Sequence, residues 1–114
     1  MKVRVKKNHS SDVLIPFKAK KSEVVLGEQR PTQWEGWLYC ENEQGIKGWV
    51  PEAFLEEIPN KKKYFKFNRD YDAYELPASK GDLVEIKETE SSWALVISET
   101  GEIGWIPLEN LDLK

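Results

Sequence analysis

The sequence predicts an all-β protein made of two small barrels in tandem, on three observations. Residues 37–51 and 93–107 match without a gap at an offset of 56, keeping Trp37/Trp93, Gly45/Gly101, Gly48/Gly104, Trp49/Trp105 and Pro51/Pro107 in register. Short runs of aromatic and β-branched residues alternate with turn-prone segments, the pattern of strands joined by tight connections. No helical period extends beyond a single turn after Pro51 and after Pro107. At 114 residues the chain suits one ordinary domain or two near the lower size limit, and the internal repeat decides for two.

The elements follow in order. Val3 to Val5 is an opening strand, followed by a long irregular arm from Asn8 to Lys20. Lys21-Ser22-Glu23 reads as a turn before a strand over Val24-Val25-Leu26. A loop containing Gln29 to Gln33 is three residues longer than its counterpart in the second repeat, as expected of a surface connection. Trp37 to Cys40 then forms a hairpin with the strand beyond Gly45. The second repeat has the same plan: Tyr64 to Phe67, an arm from Arg69 to Ser79, the turn Lys80-Gly81-Asp82, a strand over Leu83 to Ile86, and the hairpin opened by Trp93 to Ile97. The polar stretch Glu57 to Lys63, stiffened by Pro59, reads as the junction. The expected division is residues 1–58 and 62–114, with 59–61 as linker.

Charged residues are 32% of the chain, yet five Trp, four Tyr and four Phe are more aromatic material than a disordered chain carries. The net charge is -3, and residues 60–114 carry the whole excess, with eight basic against eleven acidic side chains. Nucleic acid is therefore not the expected partner, because phosphate binding needs a basic footprint. No apolar run is long enough to span a bilayer or to follow the basic N-terminus as a signal peptide, so no membrane partner and a cytoplasmic location are expected. One Cys and one His provide neither a zinc set nor a disulfide. Cys40 lies opposite Val96 in the repeat and reads as a core residue; His9, in a polar loop, reads as solvated. The glycines of Gly45-x-x-Gly48 and Gly101-x-x-Gly104 lie in hairpins and not before helices, so they form no phosphate cradle. The expectation is a monomer without enzymatic activity or cofactor.

Arg69-Asp70-Tyr71-Asp72-Ala73-Tyr74-Glu75-Leu76, Lys80-Gly81-Asp82, Trp93 and Gly104-Trp105-Ile106-Pro107 together resemble, in order and spacing, the landmarks of Src-homology-3 (SH3) domains. These are the ALYDY segment, the diverging turn, the strand-borne Trp and the strand end of the family. The resemblance covers nearly all of residues 62–113; in the first repeat it runs from Lys21 to Leu55. It implies two five-stranded SH3-like barrels, and the tandem pairing is similar to that of small bacterial proteins of this type.

The resemblance also implies a function, the docking of a proline-containing peptide or partner-protein segment in an aromatic groove. A polyproline II ligand is ordered before it binds and loses little entropy there. The implied groove residues are Tyr71, Trp93, Trp105 and Pro107, with Asp72 and Glu75 as the acidic arm, in the second module, and Trp37, Trp49, Pro51 and Phe54 in the first. The second module departs from the family at Arg69, in place of an aromatic, and at Asn110, which leaves half of its gripping surface missing. The arm of the first module is basic, with Lys18, Lys20 and Lys21, and would repel an Arg-bearing ligand. A competing reading makes Trp49 and Trp105 packing residues. Alternative functions are a Tudor-like reader or nucleic-acid-associated barrel using Trp34, Trp37 and Trp49, and cell-wall peptide binding.

Overall fold

The structure, a computed structural model, describes residues 1–113. Its elements are short strands: β1 (Lys2–Val5), β2 (Lys18–Ala19), β3 (Val24–Glu28), β4 (Trp37–Glu41), β5 (Lys47–Pro51), β6 (Leu55–Glu57), β7 (Tyr64–Phe67), β8 (Tyr71–Asp72), β9 (Leu83–Glu90), β10 (Trp93–Ser98), β11 (Ile103–Pro107) and β12 (Leu111–Asp112). Single 3₁₀ turns cover Glu52–Phe54 and Leu108–Asn110, directly after Pro51 and Pro107 as the sequence predicts. The fold is all-β, with antiparallel sheets.

The chain divides into two compact units that differ from the expected 1–58 and 62–114. Unit 1 consists of Met1–Val13 with Tyr74–Lys114, and unit 2 of Leu14–Ala73. The opening strands have changed places. β1 lies between β9 and β12 in the sheet β11-β10-β9-β1-β12, with Val3 opposite Val84 and Val5 opposite Leu111. β7 lies between β3 and β6 in the sheet β5-β4-β3-β7-β6, with Phe65 opposite both Val25 and Glu57. A short ribbon, β2-β8, completes unit 2. The expected linker is thus the loop of a hairpin, since β6 and β7 pair directly; Lys61 N–H bonds Ile58 O, and Asn60 and Lys63 take left-handed φ values of 66° and 69°.

Side-chain volume accounts for the exchange. In unit 2 a Cβ at Gly27 would overlap Leu38 Cδ2 and stand 3.0 Å from Phe65 Cδ1, so glycine leaves room for both side chains. The corresponding position of unit 1 is Ile86, because Gly27 pairs with Cys40 and Ile86 with Val96. Ile86 packs against the core of Val3, Val5, Leu76, Val84, Ala94, Val96, Ile106 and Leu111, where the strand that enters must carry valines and not phenylalanines. The core of unit 2 is aromatic: Phe17 stacks on Phe67 at 6.1 Å, Phe67 on Tyr71 at 6.0 Å, and Tyr71 meets Phe54 at 5.6 Å. Only β7 brings the ring that links the two ends of this ladder. Close packing tolerates neither the voids nor the overlaps that the other assignment would create.

The turns that enter β3 and β9 are built alike. Glu23 N–H bonds Lys20 O and Asp82 N–H bonds Ser79 O, both at 3.0 Å, and each acidic side chain accepts from the first backbone N–H of its turn. The left-handed position is Gly81 (φ 95°) in unit 1 and Ser22 (φ 78°) in unit 2.

Candidate functional site

The exchange redistributes the residues expected to form two grooves. Tyr71 and Asp72, assigned by the sequence to the module of Trp93, belong to unit 2 with Trp37, Trp49, Pro51 and Phe54. Glu75, Trp93, Trp105 and Pro107 remain together in unit 1.

In unit 2, β4 and β5 pair with Trp37 opposite Pro51 and Tyr39 opposite Trp49. Strand alternation sends Leu38, Cys40 and Val50 into the core and puts Trp37, Tyr39, Trp49 and Pro51 on the other face. Tyr39 and Trp49 meet edge to face at 5.1 Å, and the Arg30 guanidinium lies 4.3 Å from the Tyr39 ring centroid, pinned by Glu28. Tyr71 closes one side: its ring packs on Phe54 and its hydroxyl donates to Trp49 O at 3.1 Å. Arg69, which stands where an aromatic was expected, lays its guanidinium 4.2 Å from the Phe54 ring centroid. Trp37, Phe54 and Tyr71 are buried, while Trp49 and Tyr39 are half-buried.

The arm of unit 2 is not uniformly basic, contrary to the sequence expectation. Because β8 pairs with β2, Asp72 stands opposite Lys18, with their charged groups 3.9 Å apart and both exposed. Asp70 accepts the Lys21 N–H at 2.8 Å, which ties the two arms together. The exchange thus delivers acidic groups to the basic stretch.

Unit 1 holds the same positions with different chemistry. His9 pairs with Ala78 as Tyr71 pairs with Ala19, and Asn8 Oδ1 accepts the Lys80 N–H as Asp70 accepts that of Lys21. His9 therefore stands in the place of Tyr71, and Asn110 in that of Phe54. His9 is not solvated: its side chain is 13% exposed, its Nε2 lies 2.8 Å from Glu75 Oε1, and its ring meets Trp93 edge-on at 5.7 Å. Asn110 is buried and donates to Lys7 O and Asn8 O. Trp105 is buried, as the packing reading expects; its backbone N–H donates to Tyr74 O, and its carbonyl accepts from the Leu76 N–H. Glu75 is engaged by His9 and does not stand as an acidic arm.

Sequence reasoning missed Tyr39, Arg30 and His9. Tyr39 was detectable by alternation with Trp37. His9 was detectable by placing Val5-Lys6-Lys7-Asn8-His9 over Phe67-Asn68-Arg69-Asp70-Tyr71, an alignment at an offset of 62 with little identity to recommend it.

Cys40 is buried as expected, and burial pushes its thiol up to about 12. Among the described residues no group of three or more His, Cys, Asp and Glu is placed to hold a metal ion, and no helix is long and apolar enough to cross a membrane. No protein-family model, curated protein or solved structure matches the chain.

Proposed function

We propose that this chain is a non-catalytic docking protein of the SH3 kind, in which unit 2 grips an extended, proline-containing segment of a partner protein and unit 1 does not. One observation carries this reading: Tyr71 comes together with Phe54, Trp37, Pro51 and Trp49 within residues 14–73, although the sequence separates it from them. Flat rings backed by a rigid ladder suit a ligand whose ridges are already ordered. In unit 1 the corresponding positions hold a His–Glu pair and a buried amide, which offer no flat apolar surface for a proline.

The test is a ¹⁵N titration with proline-rich peptides, observing the indole N–H signals of the five Trp. The Trp37 and Trp49 signals should shift on binding with a dissociation constant on the order of 1 to 100 μM, while those of Trp93 and Trp105 stay still. Replacing half-buried Trp49 by Ala should weaken binding by about 2 kcal/mol, as loss of a central anchor does. Shifts confined to Trp93 and Trp105, or an unchanged affinity of the Trp49→Ala chain, would overturn the assignment.

A further inference from the structure

The strand that completes unit 1 comes from the far end of the chain. β1 is internal to its sheet, so without it both β9 and β12 lose a neighbour and two rows of backbone groups stand unpaired. All of its partners lie within residues 81–112, and a second copy offers an identical slot.

We propose that this strand is exchangeable between copies, residues 1–9 of one chain completing the unit 1 sheet of another to form a strand-swapped dimer. The contacts made by β1 are the same in either arrangement. The balance is therefore set by the connecting segment and by concentration.

That segment is built to open. His9 is the last residue tied to unit 1, exchanging backbone hydrogen bonds with Ala78 in both directions at 2.9 Å. Phe17 is the first tied to unit 2, its carbonyl accepting the Ala73 N–H at 2.8 Å. Between them the described bonding is one contact, Val13 N–H to Ser11 Oγ at 3.2 Å, in an exposed turn. Residues 10–16 can extend to about 20 Å, enough to reach a neighbouring molecule.

The apolar character of this hinge also points to a second copy. Val13 is 57% exposed, Leu14 94% and Ile15 64%, a contiguous run in a chain whose large apolar side chains are otherwise mostly covered. In the swapped dimer the two hinges run side by side, where β-branched Val13 and Ile15 can pair as a ribbon and remove this surface from water. Among the described residues of the single chain no strand pairs with them.

The experiment refolds the full chain at micromolar and at millimolar concentration and measures mass by light scattering after gel filtration. Lys2 and Glu85 are exposed and directly opposite each other, so the Lys2→Cys, Glu85→Cys chain reports where β1 sits when oxidised before denaturing electrophoresis; buried Cys40 stays out of the reaction. Dilute refolding should give 13.3 kDa with a cross-link inside the chain, and concentrated refolding a fraction of twice that mass whose cross-links join two chains. The hinge variant Val13→Ser, Leu14→Gly, Ile15→Ser should reduce that fraction several-fold. A single species of 13.3 kDa at every concentration, or a double-mass species cross-linked only within chains, would overturn the proposal.

Discussion

Cys40 lies opposite Gly27 in the β3–β4 ladder, sealed from water, and desolvation alone raises its thiol from 9.0 to about 12. The folded chain therefore holds this proton more tightly than the unfolded chain. The stability it contributes is whole below about pH 9 and is lost as the pH climbs through about 12. Within that window the loss approaches about 1.4 kcal/mol per pH unit. The Cys40→Val chain, with the side chain that unit 1 uses at Val96, should gain on the parent in urea midpoint between about pH 8 and about pH 11, a difference that isolates the thiol from the Lys and Tyr titrations common to both. This residue was legible in the sequence, because the offset that aligns the tryptophans also aligns it with a valine. His9 was not. Its surroundings in sequence are polar, and what buries it is a strand pairing with Ala78, 69 positions away.

At the scale of elements, the equivalent combinations Gly27 with Leu38 and Ile86 with Ala94 show one volume divided in two ways. A Cβ at Gly27 would land on Leu38 Cδ2, whereas unit 1 has the large residue on β9 and the small one on β10. Gly27→Ala should cost about 1–3 kcal/mol by overpacking, and the added Leu38→Ala change should be less than additive, which a double-mutant cycle in urea measures. The β9–β10 connection tells of turn chemistry. Ser91 and Ser92 both have positive φ, 52° and 73°, and pair Glu90 with Trp93 across a two-residue loop. That is the geometry favoured by Asn-Gly, so Ser91→Asn with Ser92→Gly should raise stability by about 1 kcal/mol in the same assay. The strands themselves were readable from composition and alternation. The turn was hidden because serine is a poor signal for a left-handed pair.

Over the whole molecule, the repeat predicted which strands exist but not which sheet receives each opening strand. Both opening strands alternate apolar and polar residues in the same phase, so pattern alone permits either assignment. The choice rests on Gly27, Phe65, Phe67 and Ile86, four volumes whose fit shows only in three dimensions. The expected boundary failed for the same reason: the polar stretch at 59–61 makes as good a hairpin loop as a linker. A consequence is that residues 14–73 are one continuous, self-sufficient unit, while residues 74–114 lack an internal strand of their sheet. The isolated 14–73 segment should unfold cooperatively and show dispersed NMR signals. The 74–114 segment should remain unfolded until a peptide of residues 1–13 is added, and independent folding of 74–114 would contradict the strand order.

The position of β1 also fixes an order of events on the ribosome. Synthesis proceeds at roughly 5–20 residues per second, and β1 leaves the exit tunnel before every other strand of its sheet. Its neighbour β12, whose Asp112 and Leu111 pair with Arg4 and Val5, is the last strand of that sheet to follow. Unit 2 can close while translation continues, but β1 must wait, unpaired, for several seconds until β9 and then β12 emerge. During that interval neighbouring nascent chains on one message each present the same free strand.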